Sequence, residues 1–182
     1  VLLERAGVAH VCEPAAIDES AVKSAMQGVA VEEVALALAD SKASAVAARR
    51  PGALVIGADQ ILECDGRWFD KPADAAEAAR HLRALRGRTH RLISAAVAVK
   101  DGARLWRHVA AARLTMRAFS DQFLDHYLAL GGPAILESVG AYRLEGMGAQ
   151  LFETIDGDYF TILGLPLLPL LEFLRRERLL AE

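Results

Sequence analysis

Leu54-Val55-Ile56-Gly57-Ala58-Asp59-Gln60, followed downstream by Asp70-Lys71-Pro72, is the stretch on which the fold turns. The unbroken apolar run Leu54 to Ile56 predicts a fully buried strand. Gly57 predicts a backbone turn that delivers Asp59 at the strand's carboxyl end. Ligands of open α/β sheets bind at such ends. A carboxylate there, with a lysine after it, points towards phosphate chemistry. The plainer alternative is a surface turn in which Asp59 caps a neighbouring segment and Lys71 is simply solvated.

Upstream of that stretch, residues 31–48 place Val31, Val34, Ala35, Leu38, Ala45 and Val46 on one helical stripe, the pattern of a helix packed on a sheet. Lys42 falls on the same stripe, so its ammonium either snorkels to water or meets an anion at the helix's buried edge. Downstream, Pro72, the Asp74 and Glu77 capping-box pair, inward Leu82 and Leu85, Arg83 and Arg86 in the last turn, and Gly87 mark out a second helix. Lys71 lies just before its amino end, where anions are favoured.

Farther along, Leu92 to Val99 has strand length and composition. Ala112, Leu114, Met116 and Ala118 alternate with Arg113, Thr115 and Arg117 as a strand with one wet face. Ser120 caps a helix carrying Phe123, Leu124, Tyr127 and Leu128, which Gly131-Gly132-Pro133 ends. The segment from Gly140 through Gly146 to Gly148 spaces glycines as a ligand-approaching loop does, but it is neither a GxGxxG fingerprint nor a P-loop. Leu151 to Ile155 and Tyr159 to Leu163 read as two strands around Asp156-Gly157. Pro166 starts a final helix that buries Leu167, Leu170, Leu171 and Leu174. Sheet and helix alternate, so the class is α/β.

At 182 residues, 53% of them hydrophobic, the chain suits one domain over residues 1–182. A net charge of −3 argues against broad binding to a nucleic-acid polymer. Cys12 and Cys64 form no CxxC pair, which speaks against a thiolate zinc site or disulfide scaffold and for a reducing, cytoplasmic setting. The apolar segment from Thr161 to Leu174 is broken by Pro166, Pro169 and Glu172 and falls short of the roughly 18 to 20 residues of a membrane span. The sequence opens on Val1-Leu2-Leu3-Glu4-Arg5 as though inside a helix, so a preceding segment is expected.

His10, His81, His90, His108 and His126 show no HExxH pairing, and no serine sits in a GxSxG elbow. What remains is a set of carboxylates (Asp18, Glu19, Asp59) and lysines (Lys42, Lys71) near expected strand ends and helix starts. It suits a polyphosphate with Mg2+ or Mn2+: one or two carboxylates hold the metal, lysines neutralise phosphate, and a carboxylate orients water. Glu145 would repel phosphates, so its place in such a site is at a base edge; the alternative is a solvated pair with Arg143.

These residues together resemble the Maf family of septum-formation-inhibitor-like nucleoside triphosphate pyrophosphatases. The resemblance runs from Val1 to the end and rests on Lys42-Ala43, Ile56-Gly57-Ala58-Asp59, Asp70-Lys71-Pro72, Gly87-Arg88-Thr89-His90, Gly140-Ala141-Tyr142 with Glu145-Gly146, and Gly164-Leu165-Pro166-Leu167. It implies an α/β fold akin to inosine triphosphatases, with an elongated central mixed sheet flanked by helices and two lobes around a cleft. It also implies a homodimer and metal-dependent cleavage of a nucleoside triphosphate between its α and β phosphates. Carried onto this chain, the resemblance makes Asp59 the water-activating base and a metal neighbour, Glu19 the second acidic group at the metal, and Lys42 and Lys71 the phosphate clamps. Two departures follow. The family's first strand and its phosphate loop would precede Val1, and the pair Gln60 and Glu145 replaces the threonine and glutamine of members acting on dTTP and UTP. That pair is similar to the subgroup preferring 7-methyl-GTP. Glu145 can accept from guanine's N–H groups, whereas it offers nothing to pyrimidine carbonyls. A nucleotide-binding regulator without turnover is the reading from another class.

Overall fold

The computed structural model describes residues Leu2–Ala181. The elements in chain order are α1 (Leu2–Arg5), α2 (Glu19–Ala25), α3 (Val31–Ala47), β1 (Val55–Cys64), β2 (Arg67–Phe69), α4 (Ala75–Leu85), β3 (Thr89–Lys100) and β4 (Ala103–Met116). They continue as α5 (Asp121–Gly131), β5 (Phe152–Asp156), α6 (Tyr159–Ile162) and α7 (Leu167–Arg176). Five strands are ordered β2-β1-β3-β4-β5, giving an α/β fold with a central sheet flanked by helices. Antiparallel pairing sets Leu62 opposite Phe69 and Arg113 opposite Asp156. The Asp65-Gly66 and Asp101-Gly102 turns, with all four residues at positive φ, join β1 to β2 and β3 to β4. No described helix is long and apolar enough to cross a membrane.

The chain divides into two compact units. The first comprises residues through Gln60, Ser94–Ala110 and the stretch from Gly164 on; the second comprises Ile61–Ile93 and Ala111–Leu163. In the first unit α3 is the longest helix. Its acidic first turn suits the helix dipole, and Val34, Ala35, Leu38, Ala39 and Ala43 are fully buried. On α7, Leu170, Phe173 and Leu174 pack with Ala98, and Trp106 stacks on Phe173 with ring centroids 5.2 Å apart.

The second unit has a core of larger side chains, among them Leu82, Leu85, Leu114, Met116, Leu124 and Tyr127. Its helices start as their sequences predict. Asp74 accepts from the Glu77 amide at 2.7 Å, Glu77 accepts from the Ala73 amide at 2.8 Å, and Ser120 accepts from the Phe123 amide at 3.1 Å. Its small strand β2 carries Trp68.

Several expectations are corrected. Gly57 makes no turn: β1 runs through it, and Val55 and Ile56 are half-buried rather than fully buried. The glycine is there for close approach, because a Cβ on it would lie 2.2 Å from the Ala39 carbonyl oxygen and 2.7 Å from the Ala43 nitrogen. Tyr159 to Ile162 is a helical turn, not a strand. The Asp158 carboxylate accepts from the Thr161 amide at 2.7 Å and from its hydroxyl at 2.9 Å, which closes the chain into a turn that an apolar pattern does not reveal. The alternating strand begins earlier, at Ala103, and stops at Met116, so Ala118 lies outside it. On α7, Phe173 takes the buried position and Leu171 is only half-buried. In the glycine-spaced segment, Gly140 leaves room for Leu62 and Tyr142, whose atoms would stand 2.5 and 2.8 Å from an added Cβ, so this one glycine serves packing.

Candidate active site

Side chains alternate along β1: Gly57, Asp59 and Ile61 are buried on one face, and Leu62 and Cys64 are buried on the other. Without a side chain at Gly57, the strand lies directly on the Ala39 to Ala43 turn of α3. That contact places Lys42 beside Asp59. The Lys42 ammonium donates to Asp59 Oδ1 at 2.5 Å and sits 2.8 Å from Glu19 Oε1. One cation thus serves two carboxylates from different elements. Asp59 is 9% exposed, while the Lys42 side chain keeps 23% and Glu19 46% of theirs.

The electrostatics follow from that sharing. Burial pushes the Asp59 carboxyl above its ordinary range; Lys42 opposes the push, and the charge on Glu19 adds to it. Burial disfavours the Lys42 ammonium too, but its bonds to Asp59 and Glu19 together outweigh that cost and hold it above the usual lysine value. Two anions share one cation, so Lys42 gains from both while Asp59 receives only part of the neutralisation. A carboxylate raised in this way is a better proton acceptor than an ordinary aspartate.

The other acidic candidate, Asp18, is the N-cap of α2. It accepts from the Ala21 amide at 3.0 Å and from the Ser20 hydroxyl at 2.7 Å, and these bonds hold its carboxyl below the ordinary value. Gln60, next to Asp59 in the strand, points to the opposite face and donates to the Ser94 hydroxyl oxygen at 3.0 Å. The structure therefore brings Glu19, Lys42 and Asp59 together and sends Gln60 elsewhere. Lys71 and Glu145 belong to the second unit. Lys71 is exposed ahead of α4, where the Glu77 amide donates to Asp74 and the Ala73 amide, just before the helix, donates to Glu77. Glu145 accepts from Arg143 at 3.0 Å and is exposed, as in the solvated-pair alternative.

A cavity of about 1030 Å3 opens in the first unit, with Glu19 and Lys42 on its wall together with Cys12, Glu13, Arg50 and Ile56. Glu13 is fixed by Arg49 at 3.1 Å and Arg50 at 2.7 Å, and Arg49 also donates to the Pro14 carbonyl at 2.9 Å. Sequence reasoning missed this clamp. The Arg49-Arg50 pair after a helix was its only signal. Ser94 was missed as well, although a lone hydroxyl inside an apolar run marks a buried polar contact.

As metal ligands, Asp59 and Glu19 offer hard oxygen donors that already converge on one nitrogen. No group of three or more His, Cys, Asp or Glu gathers to hold a metal among the described residues. Two carboxylates fit a magnesium-type ion that takes its remaining ligands from substrate and water.

Comparison with known proteins identifies the family. A family model described as Maf-like protein matches residues 1–177. A nucleoside triphosphate pyrophosphatase of Paramagnetospirillum magneticum is 58% identical over 178 residues, covering 97% of this chain and 92% of the relative. A 7-methyl-GTP pyrophosphatase of Mesorhizobium japonicum is 56% identical over 176 residues, covering 96% and 88%. Another protein of that name from Rhizobium etli is 54% identical over 177 residues, covering 96% and 89%.

Proposed function

This chain belongs to the Maf family, and from that premise we propose that it hydrolyses 7-methyl-GTP to the nucleoside monophosphate and pyrophosphate. The broader activity, a hydrolase of the nucleoside triphosphate pyrophosphatase class, rests on relatives sharing about half or more of their residues across nearly the whole chain. The observation that carries the mechanism is the Lys42 ammonium shared between Asp59 and Glu19.

The Asp59 carboxylate takes a proton from the attacking water as the water oxygen bonds to phosphorus of the α–β anhydride and the bond to the bridging oxygen breaks, releasing pyrophosphate. Lys42 balances phosphate charge, and Lys71 adds a second cation to the polyphosphate. Asp59 and Glu19 would hold a Mg2+ or Mn2+ ion, which when bound polarises phosphate oxygens and steadies the leaving pyrophosphate. The cavity beside Lys42 and Glu19 has the size of a small-molecule pocket.

The choice of base draws support from the two relatives named 7-methyl-GTP pyrophosphatase and from the carboxylate at Glu145, which suits guanine donors and a cationic methylated ring. Glu145 would exchange its Arg143 contact for the base. A second reading, a nucleotide-binding regulator, is favoured by one observation: an aspartate engaged by lysine at 2.5 Å is a hindered base.

The deciding experiment measures pyrophosphate release from 7-methyl-GTP, GTP, UTP, dTTP and CTP with Mg2+ or Mn2+. Fastest turnover of 7-methyl-GTP is the expected result. Faster turnover of the pyrimidines would keep the enzyme and reject the base. No turnover at all, with nucleotide still bound, would favour the regulator. Glu145→Gln is expected to move the ranking towards pyrimidines by about tenfold, because the amide supplies a donor.

A further inference from the structure

Glu19, Lys42 and Asp59 come from α2, α3 and β1, yet all three meet at a single nitrogen. Two oxygens that contact one ammonium at 2.5 and 2.8 Å can be no farther apart than those contacts laid end to end. Small rotations of either carboxylate bring that span within the reach of a hard divalent ion, whose metal–oxygen bonds are about 2.1 Å. The ammonium stands where such an ion would bind. Like charges this close repel strongly at a partly buried site, so a dication and the Lys42 ammonium cannot hold the same two oxygens together.

We propose that Lys42 is a placeholder cation. Before metal arrives it neutralises Asp59 and Glu19, which keeps a buried carboxylate from standing uncompensated. When a divalent ion takes the two oxygens, Lys42 leaves them and its ammonium passes to the substrate's phosphates. This inference deepens the pyrophosphatase reading and rests on it. It carries a thermodynamic consequence. The free protein binds metal weakly because the lysine must be displaced, whereas a polyphosphate gives that lysine a new anionic partner and so strengthens metal binding. By linkage, metal strengthens polyphosphate binding to the same degree.

The test is Mn2+ binding to the folded chain without nucleotide, read from the paramagnetic resonance signal of free Mn2+. Lys42→Gln is expected to bind Mn2+ about tenfold more tightly than the wild type, and adding Asp59→Asn should abolish that gain. Equal or weaker binding by Lys42→Gln would overturn the proposal. A second arm uses unaltered protein, since removing the cation beside Asp59 loads the fold. Limited acetylation with acetic anhydride, followed by mass spectrometry, reports how free the Lys42 amine is. Saturating Mn2+ is expected to raise its labelling about fivefold. Unchanged labelling at saturation would also overturn the proposal. Neither arm depends on turnover, so failure of the exchange and failure of the pyrophosphatase reading are seen separately.

Discussion

The triad of the first unit and the His90–Tyr142 pair of the second both contain buried polar groups, Asp59 in the one and both members in the other, yet they solve opposite problems. Lys42, Asp59 and Glu19 form an ionic cluster in which one cation serves two anions, with Lys42 and Glu19 on the wall of an open cavity. His90 and Tyr142 stay neutral. Their side chains meet at 2.7 Å, burial lowers the His90 imidazole to about 4 and holds the Tyr142 hydroxyl well above its usual value, and His90 Nδ1 has no partner. Charge retained under partial burial can do chemistry; charge suppressed under full burial specifies packing.

The largest test of that contrast is Asp59→Asn. Keeping the side chain's shape while removing the proton acceptor is expected to lower pyrophosphate release by about a thousandfold. The melting temperature should hardly move, because Lys42 retains Glu19. A large loss of stability with turnover preserved would show that the triad is structural, like the second unit's pair.

Gly57→Ala tests how the charges are brought together. The new Cβ would press on the Ala39 carbonyl and the Ala43 backbone, neither of which can swing away, and the cost is expected to be about 3 kcal/mol in urea unfolding. Turnover should fall with it, since the shift carries Lys42 from Asp59. A silent substitution would break the claim that close approach of α3 and β1 builds the site.

The second unit supplies a pH test of similar size. Folded His90 takes up its proton only near pH 4, whereas the unfolded chain does so near 6.5. The unfolded state therefore binds more protons between those values. Stability is complete above the upper one and is lost on going down to the lower one, by about 3 kcal/mol. His90→Phe should flatten that part of the profile in unfolding measured between pH 4 and 7. Asp59 works in the other direction. Its raised folded value makes stability fall as pH rises from 3.8 through that value. The smallest expected effect is that of Tyr142→Phe, which leaves His90 Nε2 unpaired for about 1 kcal/mol and leaves turnover alone.

Much of this was legible in the chain. The stripe of α3, the Asp74 and Ser120 caps and the β3 apolar run each carry a local signal that tertiary structure left in force. Lys42 was legible because a charge on a buried stripe demands a partner, and of the two outcomes the structure shows the anion. The rest turned on side chains meeting at long range. Gly57 looks like a turn residue from its neighbours alone; only the Ala39 to Ala43 face, far away in sequence, explains it as a contact. Asp158 converts a strand-like run into a helical turn through two hydrogen bonds that composition does not announce. The fate of Glu145 depended on whether Arg143 folded back on it, which spacing leaves open.

The stacked Trp106 has a practical consequence. The chain holds two tryptophans, Trp106 in the first unit and Trp68 in the second. Each unit therefore carries its own emitter, and Trp68→Phe and Trp106→Phe proteins would report on them one at a time. The polypeptide passes from one unit to the other at Gln60, Ile93, Ala110 and Leu163, so neither can be excised as a contiguous fragment. Fluorescence melting of the two single-tryptophan proteins would then ask what truncation cannot: coincident transitions would mean cooperative loss of both units, and separated ones would reveal which is lost first.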